Sequence, residues 1–464
     1  MATSDDHQLG PKLISMGCRL NGYESEAMRR LAHAAGVDDA VVINSCAVTN
    51  EAVRQTRQNI RRAARDNPTA RVVVTGCAAQ IDPSTFAAMP EVTAVLGNSE
   101  KLDPEEWRAL SLSAPDGGSR DQSVQEQGAQ KRGAPDQSKN VRANIGASVR
   151  VNDIMSVRET AGHLIDGYGD RARAFVQVQN GCDHRCTFCI IPYGRGNARS
   201  TPIEQVVAQA SRLVENGHRE IVLTGVDITS WGADLPGAPK LGRLVSAILE
   251  GVPSLFRLRL SSIDGAEIDD ELFDRIVSEQ RIAPHVHLSL QAGDNMILKR
   301  MKRRHTREQA IDLCNALRTR RPEIAFGADI IAGFPTETED MFARSLAIVD
   351  EAALDYLHVF PFSPRTGTPA ERMPQLERQV IKDRARRLRE KAAVAKAAFL
   401  DRQVGLVDDA IVESGGRARL ANFAEVNLDG ANMNPLPVGS VIRLRLISHD
   451  GSTLTALHEN KNAA

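Results

Sequence analysis

The chain has 464 residues, 42% of them hydrophobic and 25% charged, with a net charge of −1. That length predicts two or three domains, and the balanced charge excludes a globally basic nucleic-acid binder, so any RNA contact must come from local patches. No apolar run reaches the roughly 20 residues that a membrane span requires.

The opening MATSDDHQLGPK is polar and acidic, unlike a signal or transit peptide, so a cytoplasmic location is expected. In that reducing compartment the seven cysteines are expected as metal ligands or buried thiols rather than disulfides.

Residues 12–100 read as alternating strands and helices. KLISMGC leads into NGYESEAMRRLAHAAG, AVVINSC into VTNEAVRQTRQNIRRAARDN, and RVVVTGC into a further helical stretch. β-branched runs alternating with helices predict a parallel α/β sheet. The strands end on Cys18, Cys46 and Cys77. Parallel neighbours would deliver all three to one sheet edge, where ligands bind in open α/β sheets.

Residues 111–150 are rich in Gly, Ser, Gln, Asp and Arg and nearly lack large apolar groups, so they read as a flexible linker or insertion after an N-terminal domain at 11–110. A second series of strands and helices fills 168–400: AFVQVQN, EIVLTGVDIT, FRLRLSSID, HVHLSLQ, FGADIIAGFP and YLHVFPFS. Such repeats predict a full or partial (β/α) barrel with its chemistry at the carboxyl ends of the strands. Cys314, inside the helical IDLCNALR, reads as a plain buried thiol. A long charged helix at 376–403 precedes short strands over 401–464, which predict a small β-barrel.

Cys182, Cys186 and Cys189 share the loop GCDHRCTFC. His184 could complete a zinc site, but it lies two residues from a cysteine on either side, and four ligands from so short a run would be strained. An iron–sulfur cube held by three thiolates, with one iron open, suits the spacing better.

This motif, with Phe188 as its aromatic residue, resembles the CxxxCxΦC signature of radical S-adenosylmethionine enzymes. With the strand-end triad and the terminal barrel, nearly the whole chain resembles the radical S-adenosylmethionine methylthiotransferases. The strings MGCRLNGYESEAM, IIPYGRGNARS, LTGVDITSWG, RMKRRHT and HVFPFSPRTGTPAERM are most similar to the branch acting on N6-threonylcarbamoyladenosine 37 of tRNA. The resemblance implies an N-terminal parallel α/β domain, a partial (β/α) barrel and a TRAM-like β-barrel. It implies two 4Fe-4S clusters, on Cys182, Cys186 and Cys189 and on Cys18, Cys46 and Cys77. It also implies S-adenosylmethionine as both radical source and methyl donor, with the second cluster carrying sulfur. The alternative is the same chemistry on N6-isopentenyladenosine 37 or on an aspartate of a small-subunit ribosomal protein. A tRNA and an external electron donor are the implied partners, with no membrane and a monomer favoured. Rivals of another class are a zinc-bearing RNA-binding module and an electron-transfer protein.

By the same resemblance, Thr224 and Gly225 would face the methionine part of the cofactor. Ser261, Gln291, Gly327 and Gly333 would approach its ribose and adenine. His285 and His287 alternate along a strand and so share one face, where packing or hydrogen bonding is the expected role. For tRNA, two basic groups stand out: Arg54, Arg57, Arg61 and Arg65 at helical spacing, and the run Lys299, Arg300, Lys302, Arg303, Arg304 and Arg307. The C-terminal segment carries more acids than bases, which puts its share of RNA binding in question. Arg417, Arg419, Arg443 and Arg445 remain candidates for one basic face.

Overall fold

The computed structural model describes residues 10–112, 147–158, 165–168, 171–428 and 436–459. The first sheet is parallel, in the order β1 (Lys12–Ser15), β2 (Ala40–Ser45), β3 (Arg71–Gly76), β4 (Ala94–Leu96) and β5 (Ser148–Arg150). β2 and β3 are buried along their whole length, which explains their unbroken valine and isoleucine runs. On one face Val42 and Val73 pack with helix α1 (Arg19–Ala34); on the other Val41, Ile43, Val72 and Val74 pack with helix α2 (Asn50–Asp66).

β5 corrects the sequence reading, because it lies inside the segment expected to be a linker. Its register on β4 puts Val149 beside Val95. A three-residue strand inside an otherwise polar segment carried no strand signal of its own. Residues 113–146 of that segment lie outside the described residues.

The central region forms parallel strands in two hydrogen-bonded groups. β6 (Arg173–Gln177) is followed by a short antiparallel pair, β7 (Gln179–Asn180) and β8 (Arg199–Ser200). β6 then pairs with β9 (Glu220–Thr224), which pairs with β10 (Arg257–Leu260). β11 (Ser262–Ile263) pairs with β12 (His285–Gln291), followed by β13 (Ala325–Ala332) and β14 (Tyr356–Pro361). β10 and β11 are one strand interrupted at Ser261, so the chain changes sheet there and joins the two groups into a partial barrel. Cys314 is fully buried in its core, and burial pushes that thiol up to about 12.

The helix Arg378–Asp401 leads into a closed five-stranded barrel: β15 (Val407–Glu413), β16 (Arg417–Leu420), β17 (Glu425–Asn427), β18 (Val441–His449) and β19 (Leu454–His458). The expected basic face does not form. Arg417 pairs with Glu425, Arg443 with Asp409, and Arg445 with Glu459. Arg419 turns inward and is held by Glu413 and Glu425, each at 2.8 Å.

At the amino ends of the central strands, Glu220 is fully buried between Arg259 (2.7 Å) and Arg257 (3.3 Å). Burial works to raise its pKa, but the two guanidiniums win and hold it down to about 2, against an ordinary 4.5. A carboxylate whose folded pKa is depressed adds stability above its unfolded pKa and loses it as pH falls through the folded one. Glu220→Gln is therefore expected to lower the urea midpoint at neutral pH. It should also flatten the loss of stability between pH 4.5 and 2, read in parallel denaturation series.

Candidate active site

The first triad is assembled by strand register. β1, β2 and β3 are parallel neighbours, so the turns after them open on one edge. Cys18 caps α1, Cys46 follows β2, and Cys77 begins helix α3 (Cys77–Ile81). Gly17 has a φ of +90°, and a Cβ there would lie 2.8 Å from the Cys46 sulfur. The turn carrying Cys18 therefore rests directly on Cys46, which only glycine permits.

The second triad lies in the loop after β7. Cys189 donates its N–H to the Cys186 carbonyl at 3.1 Å, closing the loop into a turn. Thr187 fixes it from below, with its N–H on the Met301 carbonyl (3.1 Å) and its hydroxyl on the Arg300 carbonyl (2.8 Å). The Phe188 ring packs edge-on against Phe334.

The two triads face each other. The short helix Ile191–Arg195, just after Cys189, lies flat on Cys77: a Cβ on Gly194 would sit 3.1 Å from the Cys77 Cβ. From the end of that helix Arg195 donates through Nε to the Cys77 sulfur at 3.1 Å. Its other nitrogens reach Glu24 (Nη2–Oε2 3.0 Å) and Asn21 (2.6 Å). Lys101 donates to Glu24 and Asn98 at 2.6 Å each. Glu24, Lys101 and Arg195 are all buried. Burial opposes the Arg195 charge, yet the Cys77 sulfur and Glu24 hold its pKa above the ordinary arginine value. Two buried cations thus share one carboxylate, and the thiol sulfur is the next group able to carry negative charge.

Spacing separates a single ion from a cluster. Tetrahedral zinc holds its sulfurs about 3.8 Å apart, given Zn–S bonds near 2.3 Å. Among the described residues neither triad brings three sulfurs within 4.8 Å of one another. That spacing does not match a single zinc ion held by three thiolates. His184 gathers instead with Asp227 (3.4 Å) and the Cys182 sulfur, their ligand atoms all within 4.8 Å of one another, and also meets Glu267 (3.6 Å). Burial pushes the Cys46 thiol up to about 11 and Cys189 to about 12, so cluster binding must displace protons from both.

Most residues expected at the cofactor gather on this rim. Thr224 ends β9 and Gly225 follows it, Ser261 marks the break after β10, Gln291 ends β12 at φ +72°, and Gly333 follows β13. Gly327 does not belong there. It lies early in β13 opposite His287, whose Nδ1 would be 2.3 Å from a Cβ at that position, so the missing side chain makes room for a ring. Beyond that ring, His287 bonds to Asp329 at 3.0 Å, and His358 bonds to the same oxygen at 3.2 Å.

The basic run also needs correcting. Arg303 turns inward, donating to Asp264 (2.8 Å), the Ser289 carbonyl (2.7 Å) and the Cys186 sulfur (3.7 Å). Arg300 bonds to Thr336 at 2.9 Å, Arg304 to Glu267, and Arg307 to Glu351. The run wraps the cysteine loop, leaving Lys299, Lys302 and Arg304 exposed. Arg54, Arg57, Arg61 and Arg65 are all exposed on α2, with Arg54 paired to Glu51 and Arg65 to Asp66. The start of α2 is tied to the barrel rim, where Asn50 bonds to Ser363 and Pro364 at 3.3 Å each.

Glu24, Arg195, Lys101, Asn98 and Asp264 were not singled out by sequence. The only signal available was the position of Glu24 and Arg195 six residues after Cys18 and Cys189.

Comparison with known proteins agrees with this geometry. The radical SAM superfamily matches residues 176–349, and the uncharacterized protein family UPF0004 matches residues 12–97, each spanning one triad. The chain is 45% identical to the threonylcarbamoyladenosine tRNA methylthiotransferase MtaB of Rickettsia prowazekii, over 95% of this chain and 96% of that one. It is 36% identical to the Bacillus subtilis protein of the same name, over 81% and 78%. Among solved structures it shares a fold with the radical S-adenosylmethionine methyltransferase TsrM of Kitasatospora setae. That match has a TM-score of 0.50 and 17% identity, over 79% of this chain and 69% of that one. The chain therefore belongs to the radical S-adenosylmethionine methylthiotransferases and is an enzyme of the tRNA-modifying kind within that family.

Proposed function

We propose that this enzyme replaces the C2 hydrogen of N6-threonylcarbamoyladenosine 37 in tRNA with a methylthio group. S-adenosylmethionine serves as both radical source and methyl donor. Two 4Fe-4S clusters are held, one by Cys182, Cys186 and Cys189 and one by Cys18, Cys46 and Cys77. The observation that carries this reading is the buried contact of Arg195, from the helix after the cysteine loop, with Cys77 of the other triad. When bound, the loop cluster supplies the electron for reductive cleavage of S-adenosylmethionine and the strand-edge cluster supplies sulfur.

The chain's own side chains do the rest. Arg303, anchored by Asp264, holds Cys186 in place, and Arg195 donates a hydrogen bond to the Cys77 sulfur. The rim residues Thr224, Gly225, Ser261, Gln291 and Gly333 are placed to cradle the cofactor, with Phe188 packed beneath the Gly333 turn. The electron comes from an external donor. No helix among the described residues is long and apolar enough to cross a membrane. The units acting together are the domains at 11–110, 168–400 and 401–464.

The direct test is anaerobic reconstitution followed by mass spectrometry of nucleosides from threonylcarbamoylated tRNA. Appearance of the methylthio nucleoside is expected. Its formation on isopentenylated tRNA instead would move the enzyme to the other branch.

The α2 stripe is the proposed tRNA surface. Arg57→Ala with Arg61→Ala is expected to weaken tRNA binding and to reduce the slope of log K against log salt by about 1.5. A filter-binding series over salt reads that slope; an unchanged slope removes the stripe from the interface.

A further inference from the structure

At the amino ends of the central strands, opposite the cysteine rim, the small β-barrel inserts a single ring into the larger one. Phe423, at φ +77° in the turn between β16 and β17, stacks on His285 at 4.9 Å. Four guanidiniums surround that ring: Arg419 at 4.7 Å, Arg259 at 5.2 Å, Arg173 at 5.5 Å and Arg19 at 5.7 Å.

The acids nearby are already committed. Glu220 takes Arg257 and Arg259, Glu413 takes Arg173 and Arg419, and Glu425 takes Arg419. Among the described residues Arg19 has no carboxylate partner. Independently, Nη1 of the fully buried Arg259 and both ring nitrogens of the buried His285 have no hydrogen-bond partner. Buried donors left unpaired are uncommon, and a group of them beside an uncompensated cation calls for an anion with several acceptor oxygens.

The placement says which anion. Arg19 directly follows Cys18, so its side chain leads from the strand-edge triad into the barrel. The interior is open there: His358, on the same wall, is 60% exposed. A nucleobase reacting beside Cys18 would extend its N6 substituent toward the arginine cluster.

We propose that Arg19, backed by Arg259 and His285, forms a carboxylate pocket that receives the threonyl carboxylate of the substrate nucleoside. This rests on the substrate reading above and adds the group that distinguishes this substrate from an uncharged N6-alkyl adenosine.

The test compares an anticodon stem-loop carrying N6-threonylcarbamoyladenosine with the same RNA as its methyl ester. Binding is followed by fluorescence anisotropy and turnover by nucleoside mass spectrometry, both with the reconstituted holoenzyme. The unmodified enzyme is expected to bind the ester about 10- to 100-fold more weakly than the acid, the worth of one charged hydrogen-bond set. Arg19→Gln should bind acid and ester alike, and Arg19→Lys should regain part of the preference. If the unmodified enzyme turns over the acid but binds both RNAs equally, the pocket is overturned and the substrate reading stands. If it fails to turn over the acid at all, the substrate reading itself falls. The comparison on the unmodified enzyme decides the matter even where Arg19→Gln loses iron.

Discussion

A chain carrying Cys46→Ala and Cys77→Ala is expected to leave anaerobic reconstitution with about four irons instead of about eight, and to make no methylthio nucleoside. Cys46 and Cys77 are buried at the ends of adjacent parallel strands, and their removal takes from Arg195 its sulfur acceptor while keeping the contacts that fix the barrel loop. The loop triad is fixed by its own contacts, Thr187 on Met301 and Arg303 on Asp264 and Ser289, none of which involves the first sheet. The reciprocal chain with Cys182, Cys186 and Cys189 replaced should also keep about four irons, held at the other site. Iron and acid-labile sulfide assays with Mössbauer spectra separate the two. If the unmodified protein holds only about four irons, and the Cys46 and Cys77 replacements do not lower that figure, there is no second cluster. Zinc without iron would instead favour the RNA-binding module.

The strand-edge triad was legible because strand-end position is a local property: a β-branched run stopping at Gly-Cys or Ser-Cys declares where the thiol emerges. The loop motif stood out by its spacing, and its resemblance to the radical S-adenosylmethionine signature agrees with the family match over residues 176–349. Contacts between distant segments were not. Arg195 and Glu24 are 171 residues apart, and nothing in either string says that the helix after Cys189 lies on Cys77. Arg303 read as one cation in a basic run, because only the fold shows that this run encloses the cysteine loop. Gly327 read as a turn glycine near a cofactor, whereas its reason is the His287 ring on the neighbouring strand, a matter of register. β5 escaped because a three-residue edge strand draws its stability from pairing with β4 rather than from its own composition.

Glu24→Ala should be among the most destabilising single changes in the N-terminal domain, by about 3–5 kcal/mol, because it strands two buried cations. Arg195 and Lys101 both lose their shared carboxylate, and neither can reach water, since all three side chains are buried. Trp107 gives a local readout: its buried indole donates to the Lys101 carbonyl at 2.9 Å. In a Trp231→Phe background it is the sole tryptophan, so its urea midpoint follows this domain rather than the whole chain. The loss should be greater in the iron-free protein than in the loaded one. Cluster binding keeps Cys77 as a thiolate, which leaves Arg195 one anionic neighbour after Glu24 is gone. Acid should act the same way on the unmodified chain. Burial would raise the Glu24 pKa, but Arg195 and Lys101 depress it below its ordinary 4.5. Its contribution is therefore complete above that value and fades as pH falls through the depressed one. Glu24→Ala should remove this dependence together with the stability. Equal midpoints for Glu24→Ala and the unmodified protein, with or without iron, would mean that the buried cluster does not join the domain to the barrel.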